Sequence, residues 1–144
     1  MNDIKDILSK YKNIAMIGVS NDSTKASTIV MKYMQKYGYK IYPVNPKAKG
    51  QKILGERVYE KITDIKDSID IVDVFRPSKE VPAIAKDTIK IGAKVLWLQL
   101  GIKSEEAKKL MENNNIRYIE NKCTKMEYQS YFLKVRQAFP VLQE

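Results

Sequence analysis

The residues best suited to binding a ligand lie in a glycine-containing turn that follows the apolar run 14–17. Such a turn lets the backbone approach a phosphate closely, and the helix predicted after it presents free backbone N–H groups to an anion. Ser20 and Ser27 can add hydroxyl donors, and Ser27 can also serve as the N-cap of that helix. The candidate phosphate-binding residues are Gly18, Val19, Ser20, Asn21, Lys25, Ala26 and Ser27.

A second candidate group follows the next predicted strand and consists of Val44, Asn45, Pro46, Lys47 and Lys49. No Asp or Glu occurs between Asp22 and Glu56, whereas the same stretch carries seven lysines. A site for NAD would place a carboxylate about 20 residues beyond the glycine, where it accepts hydrogen bonds from the ribose. The sequence therefore favours a nucleotide with an extra phosphate on its adenosine, such as coenzyme A or NADP, over NAD.

Three further strand ends carry candidate binding residues. Phe75, Arg76 and Pro77 offer a planar ring beside a cation, which suits an adenine or a pantetheine arm. The later candidates are Gln99, Leu100, Gly101 and Cys123. Cys123 is predicted either to pack as a small apolar residue or to meet the thiol of the ligand and form a mixed disulfide with it. Asp73 lies within an apolar strand, where we expect it to accept a hydrogen bond rather than act as a general base.

Composition excludes several classes of function. The chain has no histidine, which removes histidine-based proton transfer, histidine metal ligands and phosphohistidine chemistry. One cysteine permits neither an internal disulfide nor a cysteine metal cluster, so we expect no metal and a cytoplasmic location. The net charge of +9 attracts phosphates, but only four of the 26 basic residues are arginines, which makes recognition of nucleic-acid bases an unfavoured alternative. No apolar run is long enough to span a bilayer.

These residues are positioned by alternating short apolar runs and amphipathic helical segments, a pattern typical of a parallel sheet between helices. The predicted strands are Ile14 to Val19, Lys40 to Val44, Ile69 to Phe75, Lys94 to Leu100 and Ile116 to Glu120. The chain is thus predicted to be α/β, one doubly wound, mostly parallel five-stranded Rossmann-like domain over residues 1–144, with three layers in the order α/β/α. Ligands bind at the carboxyl ends of the strands in such sheets.

The local signals also predict where elements begin and end. Ser78 and Ser104 are the expected N-caps of two helices, and Gly38 is the expected C-cap of another. Pro43 and Pro46 are expected to stop the second strand. The last helix is predicted from Thr124 to Phe139, with Val135 on its apolar side and Pro140 ending it.

Four segments, in this order, resemble the CoA-binding domain family of small Rossmann-like proteins, which is similar to the CoA-binding domain of the succinyl-CoA synthetase alpha subunit. The resemblance runs from about Ile14 to Lys125. Its segments are Gly18-Val19-Ser20 with Lys25-Ala26-Ser27, Tyr42-Pro43-Val44-Asn45-Pro46-Lys47, Asp70-Ile71-Val72-Asp73-Val74-Phe75-Arg76, and Gly92-Ala93-Lys94-Val95-Leu96-Trp97-Leu98-Gln99-Leu100-Gly101-Ile102.

The resemblance implies coenzyme A as the ligand. It implies a pyrophosphate near residues 18–27, the adenosine phosphate near Lys47, and the body of the ligand near residues 75–77 and 99–101. Ala26 replaces a proline that is frequent in the family, and Lys25 replaces an arginine. The synthetases use a phosphohistidine, so their ligase chemistry does not carry over to a chain without histidine.

We therefore expect a protein that binds CoA or an acyl-CoA without a catalytic centre of its own, as a carrier, sensor or regulatory partner. The alternative is an NADP-dependent oxidoreductase or another NADP-binding protein. The sequence leaves open a homo-oligomer or an unidentified protein partner.

Overall fold

The fold is a five-stranded parallel sheet with helices on both faces. The computed structural model describes residues 3–134. The helices are α1 (Asp3–Lys10), α2 (Ala26–Lys36), α3 (Val81–Lys90), α4 (Glu105–Asn113) and α5 (Thr124–Tyr128). The strands are β1 (Asn13–Ile17), β2 (Lys40–Val44), β3 (Lys52–Ile53), β4 (Glu56–Arg57), β5 (Ile71–Val74), β6 (Val95–Leu98) and β7 (Arg117–Ile119).

The main sheet has the strand order β2-β1-β5-β6-β7, and all neighbouring strands are parallel. β1 lies between β2 and β5, so the chain leaves β1 for one edge of the sheet and later returns to build toward the other. This reversal is the topological switch point of a doubly wound fold, and ligands bind beside it at the carboxyl ends of the strands. The predicted α/β/α architecture is confirmed.

The central strands β1, β5 and β6 are mostly apolar because both faces of the sheet are covered, and Asn13 and Asp73 are their polar residues. Ile14 and Met16 of β1 face α1, α2 and α5, whereas Ala15 and Ile17 face the side of α3 and α4. β6 alternates in the same way, with fully buried Trp97 on the first face and Leu96 on the second. The period of two along each strand thus divides the core into two layers.

Two expectations for the first half of the chain are wrong, although β2 has its predicted bounds. Pro43 lies inside β2 and does not stop the strand, because β2 is an edge strand where proline is tolerated. The outer side of that edge is covered by Tyr59, whose amide donates to the Pro43 carbonyl and whose carbonyl accepts from Asn45 N–H, both at 2.9 Å. A loop containing Gly50 and Gly55 and then a short segment at Arg57-Val58-Tyr59 are expected after β2, but residues 52–57 form a short antiparallel hairpin made of β3 and β4.

The helix caps are partly as predicted. The Ser104 hydroxyl accepts a hydrogen bond from Ala107 N–H at 3.1 Å, which confirms it as the N-cap of α4. Ser78 does not cap α3, because a 3₁₀ turn at Ser78–Glu80 precedes that helix; its hydroxyl instead accepts from Lys103 N–H at 3.0 Å. Gly38 follows α2 with a positive φ of 95°, as expected of a C-terminal stop.

The last helix also differs from its prediction. α5 ends at Tyr128 and continues as a π-helical turn over Gln129–Leu133, and Lys134 then takes a left-handed conformation. The expectations for Val135, Phe139 and Pro140 lie outside the described residues. None of the helices within residues 3–134 combines the length and the apolarity needed to cross a bilayer.

Candidate functional site

A cleft of about 300 Å³ opens at the carboxyl ends of β1, β2 and β5, beside the switch point. Six of the predicted binding residues line it: Gly18, Val44, Asn45, Pro46, Lys47 and Arg76. The other lining residues are Ile17, Glu60, Lys61, Ile62, Glu80, Ile84 and Asp87. The cleft therefore joins three strand ends to the start of α3 and to the 3₁₀ turn at Ile62–Asp64.

Gly18 lets the ends of these strands approach one another. Its φ is +94°, and a Cβ atom placed on it would lie 2.9 Å from the Phe75 carbonyl oxygen and 3.0 Å from Arg76 Cδ. Its N–H donates to the Val44 carbonyl at 2.8 Å. Glycine is required here both by the backbone conformation and by the space.

The loop between β1 and α2 is held by its own serines and threonines. Ser20 N–H donates to Ser27 Oγ at 3.2 Å, and the Thr28 hydroxyl donates to the Ser20 carbonyl. Asp22 N–H in turn donates to Ser20 Oγ at 3.0 Å. Ser27 is thus buried inside the first turn of α2 and is not its N-cap, which is the exposed Lys25.

Asp22 is a loop residue that the sequence reasoning missed. Its carboxylate accepts hydrogen bonds from the Thr24 hydroxyl at 2.7 Å and the Thr24 N–H at 2.9 Å. The Thr24 hydroxyl, followed by the Thr24 amide, lowers the pKa of Asp22 below its ordinary value. The Asp-x-Thr spacing is a sequence signal for this turn, in which an Asp side chain bonds to the backbone two residues later.

Asn45 ties the end of β2 to the phosphate-loop candidate. Its Nδ2 donates to the Val19 carbonyl at 2.9 Å, and its Oδ1 accepts from Lys47 N–H at 3.0 Å. Pro46 begins the 3₁₀ turn Pro46–Ala48 that Asn45 caps. This double role positions Lys47 relative to Val19 and Gly18.

The two candidate lysines of this turn have different surroundings. Lys49 Nζ lies 3.2 Å from Glu60 Oε1 and forms an exposed ion pair with it. Lys47 is exposed, lines the cleft, and makes no ion pair with any residue of the segment 3–134. Lys47 is therefore the cation better placed to meet an incoming phosphate.

The cleft contains acidic residues that the sequence reasoning missed. Glu60, Glu80 and Asp87 line it from segments outside the acid-free stretch. Glu80, Ile84 and Asp87 follow one another at intervals of four and three residues from the start of α3, and this helical spacing is a sequence signal for a shared face. The stretch between Asp22 and Glu56 has no acidic residue, but the folded chain brings acidic residues from other segments into the cleft.

Arg76 is engaged by one of these carboxylates. Its guanidinium donates to both oxygens of Glu80, from Nη2 at 2.7 Å and from Nε at 3.0 Å. This two-point hydrogen bond raises the pKa of Arg76 and lowers the pKa of Glu80. Phe75 packs against the core on the face of α1, α2 and α5, while Pro77 is exposed before the 3₁₀ turn.

The candidates beyond β6 are not part of the cleft lining. Gln99 is buried, and its Nε2 donates to Asp73 Oδ1 at 2.7 Å and to Thr124 Oγ1 at 3.1 Å. Leu100 is exposed, and Gly101 N–H donates to Asn121 Oδ1 at 2.7 Å. The structure thus assigns the Gln99 side chain to an internal link between β5, β6 and α5.

Asp73 accepts a hydrogen bond at the sheet end, as its place in an apolar strand predicts. The carboxyl is fully buried, and its Oδ2 lies 3.3 Å from the Thr124 hydroxyl. Burial raises the pKa of Asp73 to about 7, and the hydrogen bonds from Gln99 and Thr124 oppose part of that rise. No charged side chain is hydrogen-bonded to it within residues 3–134.

Cys123 is buried at the N-terminus of α5, with 9% of its surface exposed. Burial raises the pKa of its thiol, which disfavours the reactive thiolate. This environment fits the prediction that Cys123 packs as a small apolar residue better than the prediction that its thiol meets the ligand.

Comparison with known proteins extends these observations. The model of a family described as "CoA binding domain" matches residues 12–129. The uncharacterized protein YneT of Bacillus subtilis is 36% identical over 126 residues, which are 88% of this chain and 92% of YneT. The ADP-forming acetate-CoA ligase of Methanocaldococcus jannaschii is 31% identical over 124 residues, which are 81% of this chain but only 17% of the ligase.

The fold is also found in solved structures. A hypothetical protein from Pyrococcus horikoshii OT3 superposes with a TM-score of 0.84 at 38% sequence identity, covering 88% of each chain. Similarity in sequence and in structure thus extends over nearly the whole described chain, including the loop after β1 and the turn after β2. This chain belongs to the CoA binding domain family.

Proposed function

We propose that this protein binds coenzyme A at the carboxyl ends of its parallel strands and performs no chemistry on it, as a carrier, sensor or regulatory partner. One observation carries the proposal: Gly18 and Lys47, which makes no ion pair with a described residue, line the same cleft, and the Asn45 side chain bonds both to the Val19 carbonyl and to the Lys47 N–H. Family membership and the relatives that are named acetate-CoA ligases support CoA as the ligand class.

The loop after β1 is the proposed site of the pyrophosphate. The first N–H groups of a helix have no partner within the helix, and the positive end of the helix dipole favours an anion there. In α2 these groups belong to Ala26 and Ser27, with Lys25 exposed beside them. The bonds from Ser20 and Thr28 hold the loop in shape before any ligand arrives.

Lys47 is the proposed partner of the phosphate on the adenosine ribose. The carboxylates of Glu60 and Asp87 can accept hydrogen bonds from ribose hydroxyls or from the adenine amino group, which NAD also offers. Discrimination against NAD then depends on Lys47 rather than on the absence of acids. The cleft, at about 300 Å³, is at the small end of ligand pockets and suits one part of the ligand, not all of it.

The enclosed position of the Asp73 carboxyl supports the part of the proposal that assigns no catalysis to this protein. Asp73 has the raised pKa of a potential general base, but Gln99 and Thr124 enclose it and no water-accessible surface remains on it. Among the cleft carboxylates, Glu80 is committed to Arg76. Incubation with acetyl-CoA should therefore release no free thiol above the uncatalysed rate, and turnover would contradict this part alone.

Calorimetry with four ligands tests the binding proposal. We expect CoA to bind more tightly than dephospho-CoA, because only CoA presents the phosphate assigned to Lys47. NADPH and NAD are the comparison ligands. Tighter binding of NADPH than of CoA would establish the alternative nucleotide, and equal affinity for CoA and dephospho-CoA would exclude the role given to Lys47.

Two lysine variants sharpen this test. Lys47→Ala should weaken CoA binding by about tenfold or more, since a hydrogen bond to a charged group contributes about 1.5–3 kcal/mol. Its affinity for dephospho-CoA should be unchanged. Lys49→Ala is the matched control because Lys49 is exposed, two residues away and paired with Glu60. Equal losses in both variants would indicate general charge attraction instead of a contact.

A further inference from the structure

A second concave surface lies outside the cleft, between α2, the tip of the β3–β4 hairpin and the start of α5. This groove, which we call the α2 groove, has a volume of about 580 Å³. Its lining residues are Ser23, Thr28, Ile29, Lys32, Tyr33, Lys36, Leu54 and Lys125. None of the residues proposed to bind CoA is among them.

Two large apolar residues of the α2 groove are exposed to solvent. Ile29 on α2 exposes 45% of its surface, and Leu54 at the hairpin tip exposes 39%. Exposed apolar residues that cluster in a concave surface are typical of interaction sites.

Leu54 also adopts a conformation that leucine disfavours. Its φ is +50° and that of Gly55 is +84°, so both central residues of the hairpin turn are left-handed. Such turns are normally made by Asn-Gly or Asp-Gly, because a leucine at positive φ is strained. Gln35 Nε2 donates to the Leu54 carbonyl at 3.2 Å and holds the tip against α2. An exposed, strained leucine held in place is better explained by a contact it makes than by hairpin stability.

The charged residues that line the α2 groove are all lysines. Lys32 and Lys36 are one helical turn apart on α2, and Lys125 extends from α5 with its Nζ 5.3 Å from the centre of the Tyr33 ring. No Asp or Glu lines the groove, and none of the three lysines forms an ion pair with a described carboxylate. The chemistry complementary to this surface is an apolar segment flanked by carboxylates.

We propose that the α2 groove docks an acidic amphipathic segment of a partner protein, with apolar side chains against Ile29 and Leu54 and carboxylates facing the three lysines. A second copy of this chain is the weaker fit, because two such grooves would bring lysines against lysines. An anionic lipid surface would satisfy the charge, but a flat surface would not fill the concave space between α2 and the hairpin.

The test uses a synthetic helical peptide with a leucine stripe flanked by glutamates, titrated into the isotope-labelled protein and followed by NMR. Shifts should be confined to α2, residues 52–57 and the start of α5, and affinity should fall steeply with salt. The same peptide with lysine in place of every glutamate should not bind. Absence of binding by the acidic peptide at millimolar concentration would overturn the proposal.

Three variants separate docking from folding and from net charge. Leu54→Asn should weaken peptide binding by about tenfold while keeping or raising stability, since Asn accepts a positive φ more readily. Lys32→Glu should weaken binding by a similar factor. Lys86→Glu on α3 makes the same charge change on the other face of the sheet and should have no such effect. Unchanged binding by Leu54→Asn, or an equal loss in Lys86→Glu, would contradict a specific groove.

Two other outcomes would reassign the occupant. Concentration-dependent dimerisation that Leu54→Asn abolishes would identify a second copy of the chain. Binding to phosphatidylserine vesicles that Lys32→Glu abolishes, without binding of the acidic peptide, would identify a lipid surface. Either result contradicts a protein partner of acidic character, and neither bears on CoA binding in the cleft.

Discussion

Gly18 is the residue on which the geometry of the cleft depends most directly. Gly18→Ala combines a positive φ with a Cβ atom 2.9 Å from the Phe75 carbonyl oxygen, so the loop after β5 would have to move. We expect a loss of about 1–3 kcal/mol from the backbone conformation alone, a further loss from the clash, and weaker CoA binding. Denaturant unfolding and calorimetry measure the two effects.

Gly50→Ala is the control for this prediction. Gly50 has a φ of +82°, but a Cβ atom there would have no neighbour within 4 Å. Gly50→Ala should lose the stability that the positive φ costs, without a further loss from a clash and without a change in CoA affinity. If both variants lose the same stability, the close approach at Gly18 is not what requires glycine there.

Asp73 makes the folded protein less stable as pH rises, which is the opposite of the usual effect of a carboxyl group. The pKa of this carboxyl is about 7 in the fold against an ordinary value of 3.8, so the unfolded chain releases the proton first as pH rises. Asp73 makes its full contribution to the free energy of unfolding below the pKa of the unfolded chain. This contribution is lost between about pH 4 and pH 7, by an amount on the order of 4 kcal/mol. Unfolding free energies at about pH 5 and about pH 8 should reveal the loss.

Asp73→Asn tests whether this carboxyl is the cause. Asparagine resembles the neutral acid and can keep the contacts with Gln99 and Thr124, so the variant should lose that part of the pH dependence and be relatively more stable at neutral pH. Asp64→Asn replaces an exposed carboxyl of the 3₁₀ turn Ile62–Asp64 and serves as the control. A parent-like decline in Asp73→Asn would assign the effect to another group.

At the scale of single elements, the start of α4 depends on one hydroxyl. Ser104→Ala removes the acceptor for Ala107 N–H and should reduce stability by about 1 kcal/mol. Ser104→Asp should restore most of it, because an aspartate caps as well and interacts favourably with the helix dipole. Neither variant should alter CoA affinity. A change in affinity would show that α4 contributes to the ligand site.

The connections determine the site more than the helices and strands do. β2 was predicted with its observed bounds, but the cleft depends on the segment after this strand, where Asn45 caps a 3₁₀ turn and bonds to Val19. The β3–β4 hairpin escaped prediction because its strands have two residues each and its turn carries leucine where Asn or Asp is the usual signal.

At the scale of the whole molecule, ligand binding and stability are linked. If CoA binds the folded protein alone, a concentration about 100 times Kd adds about 2.7 kcal/mol and raises Tm by roughly 10 °C. Lys47→Ala should need a proportionally higher CoA concentration for the same rise. A thermal scan over CoA concentrations measures this, and an unchanged Tm at saturating CoA would contradict binding to the native fold.

The fold was largely predictable from the sequence, and the site only in part. Alternating apolar runs and amphipathic helices are local patterns, so the five-stranded α/β order and the importance of Gly18 followed from neighbouring residues. The absence of histidine excluded whole classes of chemistry without any structure. These conclusions depend only on the amino-acid composition and on the spacing of residues that are close along the chain, and both can be read from the sequence.

Only the tertiary structure decided which distant polar groups meet. Gln99 bonds to Asp73 across 26 residues and Glu60 pairs with Lys49, whereas Arg76 pairs with Glu80 within one local turn. Three expected ligand contacts are thus engaged with the protein itself, and Lys47 in the cleft makes no ion pair with a described residue. The physical reason is that a parallel sheet brings the ends of sequence-distant strands to one edge. Electrostatic interactions there depend on distances through space, which the sequence does not specify until the strand order is known.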